Sequence, residues 1–321
     1  MKHFVRLLVL GALLAGGTAR PARAQQQAQY SQYMNNNFLL NPAVAGTEEF
    51  IDVKFSHRTQ WLGLEGAPST FYATVHSSLG KPVRRTLQQR RRRFHALGGT
   101  AYSDVTGPTR RTGLYLCYAY NLALTRKLRL ALGVSGGLQQ FAVNGDELRF
   151  HDAETVRGFQ SALAPDASIG LWMYTPDFYV GASTGQILGT PLGFEYYQFE
   201  SSSQRNVLQR HYYLTGGLRV PLNREWTLVP SALLRYTATS SPSVDLSAKF
   251  RYKRLLSLGA SWRAFDSVIG TFGINLTDNL TLNYTYDLGT SELAKYHGGS
   301  HEVVVGLRLK KKGKVREARF W

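Results

Sequence analysis

From residue 51 onward the apolar residues of this chain are dispersed in alternation rather than gathered into blocks, and that period of two limits what it can fold into. Leu128, Leu130, Leu132 and Val134 alternate with Arg129, Ala131, Gly133 and Ser135. An extended strand puts one set on each face. Leu114, Leu116, Tyr118 and Tyr120 repeat the pattern, with Thr112, Tyr115 and Ala119 read toward the interior or the rim. Hydrophobic residues make up 43% of the chain, yet beyond the leader no stretch approaches the roughly 18 consecutive apolar residues of a spanning helix. The chain is therefore expected to be all-β.

The clearest hairpin is centred on residues 58–76. Residues 50–56 alternate in polarity, and after the turn Phe71, Ala73 and Val75 share one face while Tyr72, Thr74 and His76 share the other. Gly63, Gly66 and Pro68 interrupt the period between the two runs, as a reversal requires.

Similar alternating segments are expected at 51–60, 70–79, 96–105, 111–121, 128–141, 166–174 and 177–186. The second half continues at 211–221, 226–237, 243–252, 255–264, 267–276, 279–288 and 301–309. The total is about fourteen, an even number that suits a transmembrane antiparallel β-barrel of the bacterial outer membrane. Many segments approach the ~9–11 residues that a tilted strand needs to cross the hydrocarbon layer. Short turns are expected at 124–127, 175–177, 223–225, 253–254 and 277–278, and long loops at 142–165, 187–210 and 289–300. Outer-membrane barrels sort their connections this way, short turns on the periplasmic side and long loops outside. The exception is 81–94, a long connection in the short-turn phase. Arg129 and Lys249 would cost about 2–4 kcal/mol each facing lipid at mid-depth, so their face is read as the lumen.

Lys2 and Arg6 precede an apolar run, and Ala22-Arg23-Ala24 offers a small-x-small cleavage site. Residues 1–24 read as a secretory signal peptide, with 25–49 as an irregular lead-in packing in or under the barrel. Residues 50–309 then form the barrel and 310–321 a basic tail. Cys117 is the one cysteine, which excludes an intramolecular disulfide; its place in a strand makes it a buried or lumen-facing residue. The formal charge is +17. In a secreted chain without a nucleic-acid motif, this favours anionic envelope components or acidic proteins over nucleic acid.

Particular residues then carry a resemblance. Gln29-Tyr30-Ser31-Gln32-Tyr33-Met34, Leu40-Asn41-Pro42-Ala43 with Gly46, Arg58-Thr59-Gln60-Trp61, and Gly66-Ala67-Pro68 before His76 resemble the PorP/SprF family of type IX secretion system membrane proteins. So do Pro230-Ser231 with Arg235-Tyr236, Val244-Asp245-Leu246, Trp262-Arg263, Tyr286-Asp287 and Ser300-His301-Glu302-Val303. The resemblance spans nearly all of the chain beyond the leader. It implies an outer-membrane barrel, embedded in lipid, that works with type IX machinery subunits or an exported surface protein in secretion, gliding motility or adhesin attachment. It makes Asn41, Pro42, Gly46, Gln60, Trp61, Gly66, Pro68, His76, Tyr286, Asp287, His301 and Glu302 the candidate partner-binding or structural residues.

A separate basic patch, Lys81, Arg84, Arg85, Arg90, Arg91, Arg92 and Arg93, contains no acid and departs from the family pattern. It is read as periplasmic, facing an acidic partner or a cell-wall-binding protein, although charge runs are often only solvated loops.

Catalysis is not expected. His76 with Ser77 and His301 with Glu302 are strand neighbours, which point to opposite faces, and no nucleophile motif accompanies them. Asp146, Glu147, His151 and Asp152 match no specific metal spacing and read as a solvated acidic loop. No cofactor is expected. A small-solute channel and a barrel enzyme are the rival readings.

Overall fold

A computed structural model describes residues 29–79, 93–147, 158–192 and 207–309. The leader, most of the basic connection and the C-terminal tail lie outside these residues. In chain order the strands are β1 (Ile51–Thr59), β2 (Ser69–Leu79), β3 (Arg93–Thr106), β4 (Thr109–Ala123), β5 (Arg129–Asn144), β6 (Phe159–Tyr174), β7 (Phe178–Gly185) and β8 (His211–Leu218). They continue as β9 (Val220–Pro221), β10 (Trp226–Thr237), β11 (Ser240–Tyr252), β12 (Leu256–Arg263), β13 (Ser267–Asn275), β14 (Leu280–Gly289) and β15 (Ser300–Leu309). β8 and the two-residue β9 continue one strand across Arg219, so the wall is a closed fourteen-stranded antiparallel barrel. Closure occurs where β15 pairs with β1, from Ile51↔Leu309 to Thr59↔His301. Every strand then has two neighbours, although the first part of β6 extends beyond its second one, and closure removes the free sheet edge that lipid would leave unpaired.

Two prolines sit where the ladder has no use for their missing N–H. Pro165 pairs with Leu138 of β5, but β7 joins β6 only from Ile169 onward. The first part of β6 is therefore an edge, where proline is tolerated, and the strand starts at Phe159 instead of at the expected residue 166. Pro230 of β10 lies at the break between β8 and β9, between the pairings Ser231↔Gly217 and Leu228↔Val220.

The outer wall is apolar. Leu114, Leu116, Leu132, Val134, Leu163, Ile169, Leu214, Leu258, Phe272 and Val303 are all exposed there. Aromatic side chains gather toward both rims. Tyr212, Tyr236, Trp262, Tyr284 and Tyr286 lie near one, and His95 with Tyr118 and Tyr120 near the other. Such girdles mark the two lipid–water interfaces. Arg129, Lys249 and Ala119 face inward as their parity requires, whereas Thr112, read toward the interior or the rim, shares the parity of Leu114 and is exposed on the outer wall near the loop-end rim. Val134→Arg, flanked on the outer wall by Tyr118 and Ile169, is expected to lower the unfolding free energy in lipid vesicles by about 2–4 kcal/mol. Urea titration of tryptophan emission measures it.

At one end the described connections are short, with residues 124–128, 175–177, 222–225, 253–255 and 276–279. The opposite end carries the long connections 60–68, 145–158, 186–210 and 290–299, but also three tight hairpins at 107–108, 238–239 and 264–266. Loop length is thus sorted less strictly than expected. In outer-membrane barrels the short-turn end is as a rule the periplasmic one.

Candidate functional site

The lumen is not empty. Residues 29–50 run through it from the loop end, where Arg263 donates to Gln29 Oε1 at 3.2 Å, to the turn end, where the Arg308 guanidinium lies over the Phe50 ring at 5.9 Å. From Ser31 to Phe50 every residue is buried except Leu39, Leu40 and Glu49. The segment lacks a helical or strand period, and its backbone groups are satisfied by local turns: Asn35 N–H donates to Gln32 O at 2.9 Å and Asn41 N–H to Asn37 O at 3.0 Å. Short 3-10 turns at Asn37–Leu39 and Pro42–Val44 compact it further.

Asn41, Pro42 and Ala43 form the tightest contact with the wall. The Asn41 side chain caps its own turn by accepting from Ala43 N–H at 2.9 Å. Its amide donates to Leu171 O and Ala182 O at 3.0 and 3.2 Å, and the Cys117 thiol donates to Pro42 O at 3.3 Å. Room for this approach comes from lumen-facing glycines. A Cβ on Gly133 would lie 2.5 Å from Ala43 Cα, and one on Gly170 2.8 Å from Asn41 Cγ. Phe38, Ala43, Val44 and Ala45 then pack with Ala119, Ala131 and Trp172. The hydrophobic core of the protein is thus inside the barrel, between plug and wall.

Near the loop end the plug is fastened by buried ions. Arg58 Nη2 lies 2.8 Å from Asp287 Oδ2, and Nη1 lies 3.5 Å from Glu302 Oε2. Ser31 threads between them: its hydroxyl accepts from Arg58 at 2.6 Å and donates to Asp287 at 2.5 Å, and its N–H donates to Glu302 at 2.9 Å. Gln32 adds a bond to Glu302 O at 3.0 Å. Beside this cluster Asp245 joins Arg235 at 2.7 Å and Arg263 at 3.2 Å. Three inward arginines therefore face three inward carboxylates, and the plug's hydroxyl and amides add hydrogen bonds to Arg58, Asp287, Glu302 and Arg263, while Arg58 Nε, Arg235 Nε and Asp287 Oδ1 are buried without a partner among the described residues. Buried ions of this kind are tolerable only when paired and hydrogen-bonded.

Two plug tyrosines add polar anchors. Tyr33 OH lies 3.0 Å from Ser247 Oγ, and Tyr30 stacks edge-on against Tyr72 at 5.2 Å. Burial pushes the Tyr30 hydroxyl well above its ordinary range, so it remains neutral. At the turn end Gly46, with φ +67°, donates its N–H to His76 Nδ1 at 3.3 Å. His76 Nε2 faces Asp52 at 3.7 Å.

The candidate residues read from sequence fall into three groups. Asn41, Pro42, Gly46, His76, Asp287 and Glu302 meet at the plug–wall contact. Gln60, Trp61, Gly66 and Pro68 shape the loop-end turn between β1 and β2. There Gln60 N–H donates to Pro68 O at 2.9 Å, Gly107 N–H to Gly66 O at 2.9 Å, and Trp61 N–H to Ser300 Oγ at 3.1 Å. Tyr286 and His301 are elsewhere, on the outer wall, with rings 5.1 Å apart. Of the basic patch only Arg93 is described, exposed at the start of β3. His151 and Asp152 lie outside the described residues.

The sequence reading did not single out Ser31, Gln32, Arg58, Gly133 or Gly170 as site residues. The signal that could have found Arg58 is its shared parity with Asp52, Lys54 and Ser56 in β1, while the two glycines give no signal until the plug's path is known.

A family model described as Type IX secretion system membrane protein PorP/SprF matches residues 22–307. Among curated proteins none matches the chain. Solved structures similar to it include the Ralstonia pickettii toluene transporter TbuX, at 12% identity and TM-score 0.48, covering 87% of this chain and 93% of that one. The Pseudomonas putida toluene transporter TodX is also 12% identical with TM-score 0.48, over 88% and 94% of the two chains. A Pseudomonas aeruginosa FadL homologue is 9% identical with TM-score 0.46, over 89% and 95%. Likeness at this level says nothing of cargo.

Proposed function

Because this outer-membrane chain belongs to the PorP/SprF family of type IX secretion system membrane proteins, we propose that it is a non-enzymatic anchoring or accessory component of that machinery, not a conduit. The observation that carries this reading is the filled lumen. A solute channel needs a continuous polar path, and here the path is occupied by residues tied to nearly every part of the wall. An anchor needs rigid presentation of loops on one side and turns on the other, which a barrel packed on an internal core supplies. Its partners on this reading are machinery subunits or an exported surface protein in secretion, gliding or adhesin attachment. The basic residues Lys81 to Arg93 add a periplasmic contact for an acidic or cell-wall-binding protein.

Planar-bilayer recording of the purified full chain is expected to show little steady conductance. Crosslinking in outer membranes is expected to recover a machinery subunit or a secreted surface protein. Large stable channels in the unmodified protein would favour the solute-channel reading instead.

A further inference from the structure

At the turn end of the lumen, where β11, β12 and β15 approach β1, there is a recess of about 40 Å³. One buried water needs ~10–15 Å³, so the space suits a single carboxylate or phosphate group. Its lining carries six cations: Lys54, Lys249, Arg251, Lys253, Arg254 and Arg308. Among the described residues the only carboxylate lining it is Asp52. That carboxylate is engaged by Lys54 at 2.5 Å, and Lys253 reaches outside the recess to Glu225 at 2.8 Å.

Lys249 decides the matter. It is 3% exposed, its ammonium donates to the plug's Asn35 Oδ1 at 3.1 Å, and it has no ion pair among the described residues. Among the described residues the leading charges acting on it are those of Arg251, Lys54 and Arg308, all of its own sign. A buried ammonium among like charges is costly, and an anion entering from the turn end offsets that cost by Coulomb attraction and charge-assisted hydrogen bonds.

We propose that this recess is an anion-binding site that takes a carboxylate or phosphate group, with Lys249 as its buried anchor and Arg251, Arg254 and Arg308 around it. The group comes either from an acidic polypeptide or from a phosphate. Because Asn35 belongs to the plug, the bound anion shares its anchor with the segment that fills the lumen. The site stands on its own lining and holds whether or not the barrel serves secretion.

Calorimetric titration of the full chain in detergent tests it, with inorganic phosphate and a hexa-aspartate peptide as the two probes. At low salt at least one is expected to bind, and the tighter probe identifies the source. Binding is expected to weaken with salt as the screening length falls from ~10 Å at 0.1 M to ~3 Å at 1 M. Arg254→Gln, in an exposed turn, is expected to weaken binding about tenfold, as for one charge-assisted hydrogen bond. Lys249→Met is expected to abolish it. Should Lys249→Met fail to assemble, Arg254→Gln decides alone. Absence of binding by both probes overturns the proposal. So does binding that is unchanged in the assembled variants, which would place the anion on some other basic segment.

Discussion

Replacing Arg58 with Met is expected to loosen the plug and to cost about 3–5 kcal/mol, the penalty for leaving buried carboxylates without their cation. Arg58 is 2% exposed, while Asp287 and Glu302 are 3% and 0% exposed, so water cannot replace the lost guanidinium without entering the packed lumen. Ser31 loses one of its hydrogen bonds at the same time. The variant should still form a barrel, because the β1–β2 and β1–β15 ladders involve backbone groups that the substitution leaves untouched. Its unfolding midpoint should fall, and bilayer recordings should show openings that the parent chain lacks. The triple variant Arg58→Met, Asp287→Asn, Glu302→Gln removes the uncompensated charge and is expected to recover most of the loss. If the single variant were as stable and as closed as the parent, the ion cluster would not be what fastens the plug.

A larger effect on conductance is expected from Gly133→Val combined with Gly170→Val. Both positions face the lumen where Asn41, Pro42 and Ala43 press against the wall, and added side chains would occupy the space of plug backbone and of the Asn41 amide. Inserting methyl groups into a packed contact usually costs about 1–3 kcal/mol per site. At Gly133 the neighbour is backbone held in a 3-10 turn, which no rotamer change can clear, and at Gly170 it is the Asn41 side chain, itself bonded to its own turn and to β6 and β7, so the segment must move. The wall itself gains two β-branched residues, which strands accept well. Assembled barrels with steady conductance are the expected outcome. Gly136→Val, at an outward position with open space around its Cβ, is the matched control and should remain closed. A closed double variant would mean that the plug has an alternative seat.

Much of the wall was legible in the sequence because a barrel strand answers to local rules. Side chains alternate, charges such as Arg129 and Lys249 cannot face lipid at mid-depth, and turns need glycine or proline. These rules placed all the strands to within a few residues except β6. There the expected start of the strand lies after Pro165, and only the staggered register of β5, β6 and β7 shows that the proline's missing N–H faces no partner. The same rules put His301 and Glu302 on opposite faces, and the structure shows Glu302 and Asp287 to be the inward ones, with Tyr286 and His301 outward.

What the sequence by itself determined is therefore the period, the closed wall, the membrane it suits and the faces of residues such as Leu132, Val134, Arg129 and Lys249. What only the tertiary structure decided is the path of residues 29–50. That segment has no period of its own, and its polar side chains find partners on β1, β2, β6, β7, β10, β11, β14 and β15. Those strands are far apart in sequence, and closing the barrel brings their inner faces to within one side chain's reach of a single strand of chain. Asn41, Gly133 and Gly170 acquire a shared role only there, because a glycine's lack of a side chain signifies nothing until some other group needs the space.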